Sequence, residues 1–176
     1  MTETAPFLVT DRLELWMPQA HDHAGLVALL APEAVRANLG NRPTSAVEEF
    51  NRLLRNAGSW MLYGYGILTC RLRGEEEIVG ICGVFHSWRG FGQGMDDTAE
   101  IGWIFAERAW GKGIATEAAR AVLDWFALAH PGKRVGCMIN DTNLASIAVA
   151  EKLGFARYDT HLAEDGARLV LLERAA

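Results

Sequence analysis

The chain has 176 residues, half of them apolar and 22% charged, with a formal net charge of −5. That length suits one domain over residues 1–176 with a substantial core, and the acidic balance argues against a nucleic-acid partner, which normally calls for basic surface. No apolar run approaches the roughly 18–20 residues of a membrane span, the opening stretch has no basic segment followed by an apolar one, and three cysteines lack Cys-x-x-Cys spacing; a cytoplasmic chain with reduced thiols and no membrane partner is expected.

In chain order, residues 7–16 read as a first strand, with Leu13 and Leu15 alternating with Arg12, Glu14 and Trp16 until Pro18 breaks the pattern. Asp22 or a neighbour caps a helix running to about Leu30. Pro43, Thr44 and Ser45 open a second helix, Ser45 and Glu48 having capping-box spacing, with an end near Asn56 and Gly58 as its stop. Residues 64–72 and 77–85 read as strands joined by a turn at Arg73 and Gly74. The glycine-rich stretch 87–97 exposes Trp88 and Phe91, either as a substrate-binding loop or as a mobile hairpin tip.

Residues 101–105 form a buried strand, and 106–109 a polar connection. From Ile114 the apolar positions (Ala115, Ala118, Ala119, Val122, Leu123, Phe126) recur with helical spacing. Residues 134–139 are a further strand and 140–143 a turn. A helix over 144–153 stops at Gly154, with Phe155 packing back. Residues 155–158 and 167–173 make a terminal hairpin across Asp165 and Gly166.

The junction at Trp110, Gly111, Lys112, Gly113, Ile114, Ala115 and Thr116 carries the chemistry. A helix's first turn leaves backbone N–H groups without intrahelical acceptors, and the macrodipole adds partial positive charge there. Glycines at 111 and 113 permit unusual dihedrals and remove Cβ atoms that would hold a phosphate off those amides. The alternative is a tight turn whose glycines serve only geometry. A P-loop fits poorly because Lys112 is followed by Gly113 rather than a hydroxyl residue, and the dinucleotide fingerprint fits poorly because Thr116 stands at its third small residue and a βαβ setting has little support.

The segment AEIGWIFAERAWGKGIATEAARAVLDWFA resembles the acyl-CoA-binding motif of the GCN5-related N-acetyltransferase (GNAT) superfamily, and within it the RimJ/RimL branch that acetylates ribosomal-protein N-termini. Gly113 and Ala115 match the motif's small positions; Trp110 replaces the usual Gln or Arg, as is common in that branch. Residues 8–15 resemble the branch's opening strand. Asn143 and Ser146, followed by Glu151, Lys152, Leu153, Gly154 and Phe155, resemble its second motif. The resemblance spans about residues 8–155. It implies an α/β (α+β) fold with a mixed, mostly antiparallel sheet of about seven strands flanked by about four helices.

It also implies transfer of an acetyl group from acetyl-CoA to a primary amine, a protein N-terminus or a small molecule, by direct attack in a ternary complex. The branch points to Glu100 as general base acting through water, with Asp96 and Asp97 as competitors and a solvated edge carboxylate as the structural alternative. The family's usual acid, a Tyr, is replaced by Ala150. Ser146 and Asn143 are then candidates to stabilise the leaving thiolate, or serve as a first-turn serine and a helix cap; Tyr158 is a third candidate. Backbone groups of Ile104 and Phe105 would hold the pantetheine arm, and Gly111 through Thr116 the pyrophosphate, with Trp110 beside them and Lys112 near a phosphate or in water. The five histidines have no ligand-like spacing, so no metal is expected. Among relatives homodimers are frequent. The competing reading is a catalytically idle acyl-CoA sensor or scaffold, with Ala150 in its favour.

Overall fold

The computed structural model describes residues 5–37, 39 and 44–175; Pro43, expected at the opening of the second helix, lies outside them. Among these residues eight strands, β1 (Leu8–Val9), β2 (Leu13–Trp16), β3 (Ile67–Leu72), β4 (Ile78–Trp88), β5 (Asp96–Phe105), β6 (Val135–Asn140), β7 (Ala156–Leu162) and β8 (Arg168–Arg174), form one sheet in the order β1-β2-β3-β4-β5-β6-β8-β7. Neighbours are antiparallel except β5 and β6, which run parallel. The helices are α1 (His23–Leu30), α2 (Glu33–Arg36), α3 (Ala46–Tyr63), α4 (Ile114–Ala129) and α5 (Leu144–Lys152). This is the expected mixed, mostly antiparallel α/β architecture. Its extra strand and helix among the described residues include elements too short for periodicity to register, the two-residue β1 and the four-residue α2.

Alternation along the strands sorts side chains into two layers. Leu68, Val79, Cys82, Val84, Ile101 and Phe105 pack under α4 and α5 with Ile114, Ala118, Val122 and Phe126. Their neighbours Ile67, Ile78 and Ile81 pack on the opposite face against Leu26 and Leu29 of α1 and Leu53 of α3. The sheet is thus buried on both sides, and whatever reaches β5 must enter between the layers.

Four expectations are corrected. The first strand is a tight hairpin: Thr10 receives no extended partner but donates its N–H to the Leu13 carbonyl, folding β1 back on β2. Helix α3 passes Gly58 and ends at Gly64, which takes φ +74°; the last turns persist because Trp60 packs edge-on to Phe7 and donates its indole N–H to the Ile67 carbonyl. A helix-interior glycine costs only about 1 kcal/mol, less than such packing contributes. Third, the loop at 87–97 shrinks to residues 89–95, its outer residues continuing β4 and β5. Asp22, finally, is no simple cap for α1. It is buried, accepts the Gln19 N–H at 2.8 Å and pairs with Arg71 at 2.5 Å. No helix among the described residues is long and apolar enough to cross a membrane.

Candidate active site

After β5 the chain makes one 3-10 turn, Glu107–Ala109, and enters α4 through two glycines in the left-handed region, Gly111 at φ +70° and Gly113 at φ +76°. A Cβ at Gly111 would meet nothing within 4 Å and one at Gly113 only Arg12 at 3.7 Å, so backbone conformation, rather than crowding, makes these positions glycine. Among the described residues no backbone N–H from Gly111 to Thr116 donates to a backbone carbonyl. Six consecutive donors are therefore left unpaired at a sixteen-residue helix's positive end. The turn is held from outside: Arg12 donates to the Lys112 carbonyl at 2.8 Å, and Glu117 accepts from Thr10 Oγ1 at 2.6 Å and from Arg12 Nε at 2.6 Å. Burial works against the Glu117 carboxylate, but these bonds outweigh it and hold its carboxyl below the usual range. Such a cradle of bare amides fits a diphosphate. Lys112 is exposed, and the Trp110 indole N–H donates to the Phe105 carbonyl at 2.7 Å, so Trp110 braces the turn.

Below this cradle the sheet opens. Strands β5 and β6 stay in register only at Ala99–Val135 and Glu100–Gly136, and diverge beyond them. One edge of residues 101–105 faces β4 and the other faces the gap. Ala106 donates to the Val79 carbonyl, and the antiparallel register pairs Ile81 with Ile104; alternation turns the backbone groups of Ile104 into the β4 ladder and those of Trp103 and Phe105 toward the gap. This corrects the assignment of Ile104 as a main-chain partner: its side chain lies on the α1 and α3 face and lines the cavity, while Trp103, which no motif singles out, presents the amide edge.

The gap continues into a cavity of about 660 Å³ between the layers. Glu100, Ile104, Asn143 and Ser146 all line it. Glu100 is only 3% exposed, and both of its oxygens are engaged by Arg89, at 2.9 Å from Nε and 2.5 Å from Nη2. It is therefore a buried ion pair rather than a solvated edge carboxylate. Asn143 Oδ1 accepts the Ser146 N–H at 3.0 Å as the cap of α5, which leaves its amide N–H₂ and the Ser146 hydroxyl available as donors. Gly102 keeps the cavity floor open, since a Cβ there would come within 3.3 Å of the Phe85 ring.

Other candidates fall elsewhere. Asp96 accepts from the amides of Gly90 and Gly92, and those bonds, Gly90's first, hold its carboxyl low while it shapes the loop. Asp97 pairs with His86 at 3.0 Å. Tyr158 spends its hydroxyl on the Gln93 carbonyl and lies outside the cavity lining. Ala150 is fully buried in the core. Burial pushes the Cys137 thiol, which borders the cavity, well up, leaving it protonated and inert. Among the described residues no group of three or more His, Cys, Asp or Glu could hold a metal ion. Arg12, Arg89 and Trp103 escape a reading of the sequence because each acts on a partner 11 or more residues away or through its backbone alone.

A family model described as an acetyltransferase (GNAT) domain matches residues 12–156, and the chain belongs to that family. It is 34% identical to YkkB of Bacillus subtilis (strain 168), an uncharacterized protein, over 151 residues that make up 84% of this chain and 83% of the relative. Among solved structures, a protein of Bordetella pertussis described as a GnaT-family acetyltransferase superposes with TM-score 0.86 at 34% identity, covering 96% of this chain and 98% of that one. RimL, the ribosomal L7/L12 alpha-N-protein acetyltransferase, in complex with coenzyme A, shares the fold with TM-score 0.78 at 20% identity over 96% of each chain.

Proposed function

We propose that this protein is an N-acetyltransferase that uses acetyl-CoA as co-substrate and a primary amine as acceptor. The observation that carries the reading is the row of six unpaired amides, Gly111 to Thr116, at the mouth of the β5–β6 gap. Those amides take the diphosphate, and the Trp103 and Phe105 edge takes the pantetheine arm as an extra strand would. Acetyl-CoA supplies an activated carbonyl at the inner end of that edge, beside Glu100 and Gly102. The acceptor enters from the α3 side, where Asn56, Ser59 and Trp88 border the cavity.

An amine is protonated near neutral pH and must lose a proton before it attacks. Glu100 is the carboxylate in the cavity wall and takes that proton through water once Arg89 releases one of its two hydrogen bonds. Ser146 Oγ and the Asn143 amide donate toward the departing sulfur, the part that a Tyr at 150 would otherwise play. Ala150 also favours the second reading, an acyl-CoA sensor without turnover.

Calorimetry with acetyl-CoA, followed by a thiol-release screen over amines and N-terminal peptides, separates the two. Binding plus release supports transfer; binding with no release across the whole panel leaves the sensor. Absence of any binding heat removes both.

A further inference from the structure

The acceptor's charge is written on the α3 wall of the cavity. Besides the protonated Cys137 thiol, six ionisable side chains border it: Arg52, Arg55, His86, Arg89, Glu100 and Asp165. Arg89 and Glu100 neutralise each other. His86 is bonded through one ring nitrogen to the Tyr65 hydroxyl and through the other to Asp97, each at 3.0 Å. That leaves two guanidiniums, three residues apart on one face of α3, against Asp165 on the β7–β8 turn.

The two are engaged to different degrees. Arg52 forms an ion pair with the buried Glu49, Nε to Oε2 3.4 Å, without hydrogen-bond geometry. Arg55 is exposed and meets no carboxylate among the described residues. Glu48, the nearby acid on the same helix, is turned to the Ser45 amide in the capping box. A pocket meant for a plain cationic amine gains nothing from the Arg55 guanidinium, which repels it. A carboxylate or phosphate on the same molecule reverses the sign, because the guanidinium fork matches either group with two parallel hydrogen bonds.

We infer that the acceptor is a small zwitterionic amine whose carboxylate or phosphate is held by Arg55, with Arg52 beside it, while its nitrogen faces Glu100. The inference rests on the acetyl-transfer reading and narrows it. It places recognition on the sheet face opposite α4, so co-substrate and acceptor approach from different layers.

The test uses matched amines that differ only in the anion: ω-amino acids of increasing chain length against their amides, and O-phosphoethanolamine against ethanolamine. Thiol release with acetyl-CoA is followed for the full chain, for Arg55→Gln and for Arg55→Lys. We expect the anionic member to be preferred by at least tenfold in kcat/KM at one chain length, with the difference in KM. The ratio should fall toward one in Arg55→Gln and recover in part in Arg55→Lys. A ratio near one in the parent, a ratio unchanged in Arg55→Gln, or a preference confined to acidic peptide N-termini overturns the inference while leaving acetyl transfer intact.

Should no amine release thiol, the transfer reading is what fails, and calorimetry of the CoA-saturated protein with the same pairs decides the subsite. Selective binding of the anionic member that Arg55→Gln abolishes upholds it; equal binding rejects it.

Discussion

Both oxygens of Glu100 face a single guanidinium inside a protein layer, and that pairing determines what its removal does. Glu100→Gln keeps the shape and one acceptor but cannot take a proton. If Glu100 serves the amine, kcat/KM in the thiol-release assay should drop by about 10²–10⁴, the usual worth of a general base. Rates near the parent's at every pH would remove Glu100 from the chemistry. Arg89→Gln acts differently: it strands a buried carboxylate, at a cost on the order of 3 kcal/mol in urea unfolding. The sequence marks Glu100 through its place before the central strand, but nothing in it marks Arg89. The same holds for Asn143, whose cap to Ser146 is local and readable, and for Arg12, whose bond to Glu117 spans 105 residues. Local hydrogen bonds leave a pattern in the chain; distant ones leave only two residue types.

The element that depends most on such a distant bond is the start of α4. Glu117 has a carboxyl held below the ordinary range of roughly 4–5 by Thr10 and Arg12 against the opposing effect of burial. A depressed native value means the unfolded chain binds the proton first, so the stabilisation is complete above the unfolded value and is lost as pH falls through the native one. Glu117→Gln should therefore lower Tm at pH 7, and the gap between the two proteins should close as pH drops below about 4. A gap that stays constant down to pH 3 would show that the clamp acts without charge. The glycine turn, α4, α5 and the strand core at 101–105 are legible because their signals lie within a few residues. The far end of α3 is not, since Gly58 argues for a stop and only the Trp60, Phe7 and Trp125 cluster, assembled from three distant segments, overrides it. The lengths of β4 and β5 hide for a similar reason. Ser87 and Asp96 look like loop residues until pairing across the hairpin gives them partners.

At the scale of the molecule, strands β1–β5 and β6–β8 meet through two registered residue pairs before the sheet splits, with helices α4 and α5 spanning the join. A ligand seated in the split touches both halves and binds only the folded state, so its affinity adds to stability. At a hundred times Kd the increment is about 2.7 kcal/mol. For a chain of this size each kcal/mol is worth roughly 2–4 °C, so acetyl-CoA should raise Tm by roughly 5–11 °C. Gly113→Ala provides the control. The added Cβ clashes with nothing, lying 3.7 Å from Arg12, but an alanine at φ +76° costs about 1–2 kcal/mol, and the turn relaxes by re-aiming the amides of 113–116. The variant's own Tm falls, so the informative quantity is the shift that acetyl-CoA adds to each protein. That shift should shrink several-fold in Gly113→Ala, while Gly132→Ala, at a left-handed glycine beyond the C-terminal end of α4, should lose stability and keep the shift. Equal shifts in the two variants would mean that the diphosphate is gripped elsewhere, and that the glycines at 111 and 113 serve the turn alone.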